Sequence, residues 1–223
     1  MHVLLFGATG MVGQGVLREC LRDDRVTRVT AVVRAPLRTA DPKLREIVHA
    51  DFTDFSALAP EFEAVDACFF CLGISSVGKR EDEYRRITHD YTLAAARALP
   101  ANPALTFVYV SGEGTDSTER GRSMWARVKG RTENELLAMP FRAYMFRPGF
   151  IHASHGEMSR TPTYRRLYVV ISRLYPLLRR VAPKYVTTTE NLGRAMLAVV
   201  ARNGAGERIL RSPDINQAAA GGS

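Results

Sequence analysis

The chain has 223 residues, of which 46% are hydrophobic and 24% are charged, a composition typical of one globular domain. No apolar run is long enough for a membrane span, and Met1 leads almost directly into a strand, so we expect no membrane insertion and no leader peptide, and predict a cytoplasmic protein. The net charge of +8 comes mostly from arginines scattered among acidic residues, which argues against a nucleic-acid partner.

The first predicted strand, Val3–Phe6, leads into a glycine-rich turn and then into a predicted helix over Met11–Leu21. The turn has the spacing G-x-x-G-x-x-G, which differs from the G-x-G-x-x-G of the standard dinucleotide fingerprint. Residues without a Cβ let a pyrophosphate approach the backbone, and the helix N-terminus offers free N–H groups and a positive dipole end. The pattern therefore predicts a nucleotide site, with contacts at Gly7, Thr9, Gly10, Met11, Val12 and Gly13.

Strands are predicted next at Val29–Val33 and Ile47–Ala50. Arg34 directly follows the first of these, where dinucleotide-binding folds place the residue that reads the adenosine ribose. An acidic residue there would bind the 2′-hydroxyl, whereas an arginine can pair with a 2′-phosphate, and Arg38 could assist it. This favours NADP(H) over NAD(H). The alternative interpretation of Arg34 is an ordinary solvated arginine at a strand end.

The fourth predicted strand, Ala67–Leu72, contains two of the three cysteines, Cys68 and Cys71. Their C-x-x-C spacing is typical of zinc or redox sites. However, residues three apart on a strand point to opposite faces of the sheet. We therefore interpret both as reduced core cysteines and predict no metal site.

Further strands are predicted at Thr106–Val110, Ala143–Phe146 and Arg208–Leu210, with helices at Glu83–Ala98 and Trp125–Ala138. Strands that alternate with helices favour a parallel sheet covered by helices on both faces. The sequence therefore predicts an α/β fold with a doubly wound parallel sheet of Rossmann type. Its ligands are expected beyond the carboxyl ends of the strands.

The pattern changes after Gly149. We expect residues 150–186 to form a small C-terminal cap over the ligand edge, within a single domain that spans residues 1–211. Residues 212–223 are small and polar, and we predict that they form a flexible, frayed tail.

Two features of this C-terminal part allow more than one interpretation. Tyr164–Tyr185 mixes aromatic and aliphatic residues with arginines, and Pro176 and Pro183 interrupt it. The interruptions favour a substrate lid or a homodimer contact over a helix on a membrane surface. His152 and His155 have a spacing seen in metal sites but no third ligand nearby, so we predict that they line the cofactor or substrate edge.

With these motifs, the chain resembles the short-chain dehydrogenase/reductase superfamily, and more narrowly its atypical NAD(P)H-binding members related to the Tat-interacting-protein-like oxidoreductases. The glycine turn matches the atypical glycine signature of that superfamily, and Arg147-Pro148-Gly149 matches the turn after its sixth strand. The resemblance implies cofactor contacts at Asp51, Phe52, Leu72, Gly73, Pro148 and Gly149. Asp51, which directly follows the third predicted strand, could be a helix cap instead of a cofactor contact.

The same resemblance implies catalytic positions. Ser111 matches the catalytic serine, although it could simply begin a Ser-Gly-Glu-Gly turn. Lys129 matches the lysine that binds the nicotinamide ribose; the alternative is a solvated charged helix face, since Arg127, Arg131 and Glu133 lie on the same helix. The superfamily's catalytic pair is Tyr-x-x-x-Lys, whereas this chain has Trp125 four residues before its lysine. An indole N–H donates a hydrogen bond but cannot titrate as a phenol does, so the usual tyrosine acid is absent at this position.

The resemblance thus implies an NADP(H)-binding oxidoreductase that acts on a small carbonyl compound. Ser111 would polarise the carbonyl, helped by the Trp125 N–H or by a water molecule. The alternative is a non-catalytic NADP(H)-binding regulator or interaction protein with a degenerate site, which the tryptophan favours. A third interpretation, an epimerase or dehydratase, is disfavoured because those enzymes also depend on the tyrosine.

Overall fold

Seven parallel strands form the main sheet of the computed structural model, which describes residues 1–37, 39–157 and 180–221. The strands of the chain are β1 (His2–Phe6), β2 (Arg28–Val33), β3 (Leu44–Val48), β4 (Ala67–Phe70), β5 (Thr106–Val110), β6 (Arg142–Arg147), β7 (Phe150–His152), β8 (Val186–Thr188) and β9 (Ile209–Arg211). The sheet order is β3-β2-β1-β4-β5-β6-β9, and β7 pairs separately with β8, also in parallel. This confirms the predicted doubly wound sheet of Rossmann type.

Helices lie between the strands along the chain, and one follows the last strand. They are α1 (Met11–Arg22), α2 (Ala59–Phe62), α3 (Glu81–Arg85), α4 (Tyr91–Arg97), α5 (Met124–Leu137), α6 (Thr189–Ala201) and α7 (Ser212–Ala220). A π-helical turn, Arg86–Asp90, joins α3 to α4, so the single helix predicted over this stretch has a wider turn in its middle. None of the helices in the described ranges is both long and apolar enough to cross a bilayer.

The sheet separates two hydrophobic clusters. The first includes Val16 of α1, Leu192 of α6 and Ile215 of α7, and the second is rich in phenylalanines such as Phe6 and Phe70. Because neighbouring residues of a strand point to opposite faces, strands covered on both faces become continuous apolar runs. Complete burial of one large apolar side chain stabilises the fold by about 1.5–3 kcal/mol.

The cysteines follow this division. Cys68 lies in the phenylalanine-rich cluster, whereas Cys71 packs against the opposite one, and all three cysteines are free thiols. Burial raises the pKa of each thiol, so the neutral form is favoured. The prediction that the C-x-x-C pair points to opposite faces is confirmed.

The prediction of a frayed tail from residue 212 is wrong, because α7 occupies most of that segment. Ile215, Ala218 and Ala219 lie on one face of this helix and are buried in the core. Pro213 occupies the first turn, and the Asp214 carboxylate accepts a hydrogen bond from the N–H of Arg211 (2.9 Å). Residues 212–220 therefore belong to the domain rather than extending from it.

The third strand also differs from its prediction. It begins at Leu44, three residues before the predicted Ile47, and its register pairs Leu44 with Val29 of β2. Of the predicted cap, the described residues include β7 and β8. Most of Tyr164–Tyr185, like Arg38, lies outside the described residues, and the predicted lid and homodimer contact stay predictions.

Candidate functional site

A cleft of about 680 Å³ opens at the carboxyl ends of β1, β2, β4 and β5. This is the edge at which ligands bind in doubly wound folds. Ten residues predicted from the sequence line it: Gly7, Thr9, Gly10, Met11, Val12, Arg34, Leu72, Gly73, Ser111 and Lys129. The sequence analysis did not identify five others as lining residues: Cys71, Ile74, Ser75, Val110 and Ile151. We call the part at Gly7–Val12 the glycine end, and the part at Val110, Ser111 and Lys129 the lysine end.

Close backbone contacts shape the glycine end. Gly7 has a φ of +82°, and a Cβ there would lie 2.6 Å from the backbone nitrogen of Leu72. A Cβ at Gly13 would lie 2.0 Å from the carbonyl oxygen of Gly7. These two glycines are therefore required by the fold, whether or not a ligand is present.

Gly10 and Gly73, which also line the cleft, are not packed tightly against other backbone atoms. A Cβ at Gly10 would touch only the Gly7 carbonyl, at 3.4 Å, and a Cβ at Gly73 would meet no atom within 4 Å. Side chains at either position would project into free space rather than into the protein. We call this open space beside Gly10 and Gly73 the cradle. Because no side chain fills it, a pyrophosphate can reach the backbone there, so the residues present fit a dinucleotide.

The N-terminus of α1 supplies the polar groups at this end. Gly10 precedes the helix in an extended conformation, and its own N–H donates to the Gly7 carbonyl (2.9 Å). The next N–H groups, of Met11, Val12 and Gly13, belong to the first turn, where helical N–H groups have no acceptor within the helix. That turn contains no acidic residue, so the positive end of the helix dipole is available to an anion.

Arg34 follows β2 and is exposed at the edge of the cleft. Within the described parts of the chain, its guanidinium has no ion-pair partner. The loop that follows is tied to β3, because the N–H of Leu37 donates to the Glu46 carboxylate (2.8 Å). A fixed loop and an unpaired guanidinium suit an anionic ligand group at this position.

At the lysine end, Ser111 directly follows β5 and is buried. Its Oγ lies 2.8 Å from the Oγ1 of Thr115, and the Thr115 hydroxyl donates to the carbonyl oxygen of Gly112 (2.8 Å). A hydroxyl has one proton, so Ser111 must be the donor to Thr115. In this arrangement Ser111 offers acceptor lone pairs for a further contact.

Lys129 reaches the cleft from α5. Its ammonium donates to the carbonyl oxygen of Val110 (3.3 Å) and lies 5.4 Å from the centre of the Tyr109 ring. Burial lowers the pKa of Lys129 to about 8, although the negative charge of Glu133 acts in the opposite direction.

A buried ion pair lies behind the lysine. Arg147, at the end of β6, donates from Nε to both carboxylate oxygens of Glu133 (3.0 and 3.1 Å) and from Nη2 to the hydroxyl of Ser117 (2.5 Å). Glu133 is fully buried and Arg147 nearly so. From the sequence, Arg147 is predicted only as part of a turn, and Glu133 is not predicted as a site residue. The sequence feature that could have indicated a buried Glu133 is its position one helical turn after Lys129, within a helix that must bury one face.

Several predicted cofactor contacts lie outside the cleft lining. Phe52 is 3% exposed in the aromatic core, and the carboxylate of Asp51 accepts from the backbone and hydroxyl of Thr53 (2.8 and 2.5 Å). The carbonyl of Pro148 accepts from the Glu113 N–H, and the N–H of Gly149 donates to a serine hydroxyl of α7. For these residues, as for Gly13, cofactor contact stays a prediction.

Trp125 is half-buried on the first turn of α5 and also lies outside the lining. Its ring packs beside Gly114, where a Cβ would lie 3.3 Å from the indole. The catalytic contribution predicted for its N–H stays a prediction.

The two histidines after β6 do not share a site. His155 lies 3.0 Å from the Glu190 carboxylate of α6, whereas His152 ends β7, where burial lowers its pKa. Neither lines the cleft, so their predicted place at its edge stays a prediction. Among the described residues, no group of three or more His, Cys, Asp or Glu side chains is placed to hold a metal ion.

Comparison with known proteins agrees with a dinucleotide-binding site in this cleft. The NAD(P)H-binding family matches residues 7–155, which include the glycine turn, Ser111 and Lys129. Protein HTATIP2 of Rattus norvegicus is 30% identical over 159 residues, which are 70% of this chain and 64% of that protein. The mitochondrial protein FMP52 of Eremothecium gossypii is 29% identical over 68% of this chain and 66% of its own length. The chain thus spans just under two thirds of each of these relatives.

Solved structures share the fold at lower sequence identity. A short-chain dehydrogenase/reductase-family oxidoreductase from Burkholderia thailandensis superimposes with a TM-score of 0.69, at 17% identity, over 95% of this chain and 90% of its own. MoeE5, solved with UDP-glucose and NAD, superimposes with a TM-score of 0.68, at 20% identity, over 95% of this chain and 75% of its own.

Proposed function

We propose that this chain, which belongs to the NAD(P)H-binding family of the atypical short-chain dehydrogenase/reductase superfamily, reduces a small carbonyl compound with NADP(H) as its cofactor. The observation that carries the proposal is that one cleft joins the glycine end to Ser111 and Lys129. Such a cleft could bind the phosphates of a dinucleotide at one end and offers titratable and hydrogen-bonding side chains at the other. This arrangement suits hydride transfer between the dinucleotide and a second, small ligand.

At the glycine end, the chain would hold the pyrophosphate by the first-turn N–H groups of α1, beside Gly10 and Gly73. Arg34 would pair with the 2′-phosphate, because a guanidinium binds phosphate through charge-assisted and frequently bidentate hydrogen bonds. This preference for NADP(H) over NAD(H) rests on one exposed side chain with no ion-pair partner in the described part of the protein.

At the lysine end, Lys129 would donate to a nicotinamide ribose hydroxyl, which leaves one of its three N–H groups for another ligand. Ser111 would orient the carbonyl compound by turning its hydroxyl away from Thr115. The bound dinucleotide supplies the hydride. Ile74, Val110 and Ile151 give part of the cleft wall an apolar surface, which suits a small uncharged carbonyl compound. The predicted cytoplasmic location stays a prediction, and one compared relative is named mitochondrial.

Trp125 supports a second candidate, a non-catalytic NADP(H)-binding regulator. Its ring packs against the turn after Ser111 rather than lining the cleft, and an indole does not titrate. A regulator would bind the dinucleotide through the same glycine end and consume none of it.

Calorimetry with NADPH and NADH tests the binding part. Gly10→Val should weaken NADPH binding by more than about 100-fold, or about 2.7 kcal/mol, because the valine side chain occupies the pyrophosphate cradle while the fold has room for it. Gly221→Val is the matched control, since a Cβ there is 3.7 Å from its nearest neighbour and lies outside the cleft. Unchanged NADPH affinity in folded Gly10→Val would contradict the assigned cradle.

NADPH consumption with a panel of aldehydes and quinones tests the reaction. Slow but measurable turnover by the wild-type protein is the expected result, because the superfamily's tyrosine acid is missing. Tight NADPH binding without turnover of any carbonyl compound would instead favour the regulator.

A further inference from the structure

Reduction of a carbonyl needs a proton donor, and the cleft limits the choice. Among the described residues that line it, the titratable side chains are Arg34, Cys71 and Lys129. A guanidinium does not give up its proton in proteins, and Arg34 lies after β2, beside the glycine end. Burial raises the pKa of the Cys71 thiol, which makes it a poor acid. Lys129 is the remaining titratable group in this lining.

Ser111 does not supply the proton in the arrangement observed. Its hydrogen bond runs to the Thr115 hydroxyl, which in turn donates to the carbonyl oxygen of Gly112. A carbonyl oxygen has no proton to give, so this chain of hydroxyl groups ends without a source from which Ser111 could be reprotonated. The serine is therefore suited to orient a ligand rather than to protonate it.

The surroundings of Lys129 favour release of a proton. The carboxylate nearest along the helix, Glu133, has both oxygens bound by Arg147 from β6, so it does not form an ion pair with the ammonium. Among the described residues, further titratable groups in this region are the Cys71 thiol and the buried phenols of Tyr109 on β5 and Tyr84 on α3, of which Tyr84 raises the Tyr109 pKa. The Val110 carbonyl and the Tyr109 ring contact the ammonium, but its burial disfavours the charged form and outweighs the negative charge of Glu133.

We propose, on the basis of the reductase function proposed above, that Lys129 itself donates the proton that the superfamily's tyrosine would have given. As the carbonyl carbon receives a hydride from the reduced nicotinamide dinucleotide, the π electron pair moves to oxygen, and an O–H bond forms with a proton from Nζ. Lys129 is left as a neutral amine and regains a proton from water. The products are an alcohol and the oxidised dinucleotide.

If Lys129 donates the proton, kcat should fall as the pH rises above the Lys129 pKa. Reduction needs the ammonium form, so kcat should be level below the Lys129 pKa of about 8 and fall about tenfold per pH unit above it. An ordinary lysine, which titrates near 10.4, would place that fall more than two pH units higher.

Nuclear magnetic resonance can measure the titration without any turnover. The chain has four lysines, so protein labelled with ¹³C-lysine gives four Cε signals, and the one missing from Lys129→Arg belongs to Lys129. We expect this signal to titrate near pH 8 in the wild-type protein. Titration near 10.4 would overturn the assignment, and this measurement does not depend on the behaviour of any variant beyond identifying the signal.

NADPH consumption between pH 6 and 10, with one quinone and one aldehyde, gives the second measurement. Lys129→Arg keeps the positive charge but cannot release the proton, so we expect NADPH affinity within about tenfold of wild type and a kcat lowered by about 10²–10⁴-fold. Arg131→Gln, an exposed charge change on the same helix, is the control and should keep the wild-type profile.

The outcomes separate the two proposals. Wild-type turnover that Lys129→Arg retains, with the same pH profile, would overturn the role of the lysine and leave the reductase standing. NADPH binding with no turnover would overturn the reductase and, with it, the reaction that the lysine serves. A kcat that falls above pH 8 in the wild-type protein and is greatly reduced in Lys129→Arg would support both.

Discussion

The glycine end and the lysine end of the cleft are built in different ways. At the glycine end, the contacts that define the shape are between backbone atoms, as in the approach of Gly13 to the carbonyl of Gly7. At the lysine end, the groups offered to a ligand are side chains: Lys129 contacts the Tyr109 ring, and the Ser111 hydroxyl is hydrogen-bonded to Thr115.

This difference explains where the chain departs from the superfamily it resembles. A substitution at Gly7 or Gly13 would displace backbone and therefore disturb the fold. A substitution at Trp125 changes one half-buried side chain beside a glycine and leaves the strands and helices in place. The backbone shape of the glycine end is thus tied to the fold, whereas a side chain beside the lysine end can change without moving the backbone.

The largest expected effect concerns the support of the lysine end. Arg147→Met should lower the free energy of unfolding by about 3–5 kcal/mol, because it leaves Glu133 buried without a counter-charge. Urea denaturation measures this, with Arg131→Met as the exposed control, expected to cost less than about 1 kcal/mol. Equal losses in the two variants would show that side-chain pairing does not support this end.

A smaller effect is expected at the side chain that we assign to cofactor choice. Arg34→Asp should weaken NADPH binding by about 2–4 kcal/mol and leave NADH binding nearly unchanged, because it removes a charge-assisted contact with the 2′-phosphate and adds repulsion. Calorimetry with both cofactors measures the change. A wild-type protein that binds NADPH and NADH equally would already contradict the assignment.

The smallest expected effect concerns Trp125, which lies on the same helix as Lys129. Trp125→Tyr creates the Tyr-x-x-x-Lys pair and should raise kcat by about 10²-fold, equivalent to about 2.7 kcal/mol, because a second acid joins Lys129. NADPH affinity should stay the same, since the glycine end is untouched. Brisk wild-type turnover that this substitution leaves unchanged would place the proton route away from position 125.

Much of the fold could be predicted because local patterns coincide with tertiary requirements. Strands buried on both faces, such as β1 and β5, are continuous apolar runs in the sequence. The edge strand β3 contains the charged residues Arg45 and Glu46, which interrupt its apolar pattern, so its first residues were not predicted as strand. Helix α7 was missed because its buried face has one isoleucine among alanines, and its burial is decided by distant elements.

Local patterns predict the glycine turn, the alternation of strands and helices, and six residues of the cleft lining, because these depend on neighbours in the chain and on which strand ends share an edge. Four more lining residues, Leu72, Gly73, Ser111 and Lys129, follow from the family resemblance. Contacts between distant segments decide which glycines the fold requires and which are open to a ligand. It also decided that Glu133 is bound by Arg147, fourteen residues away, and not by Lys129. The physical reason is that burial and ion pairing depend on three-dimensional proximity, which spacing along the chain does not specify.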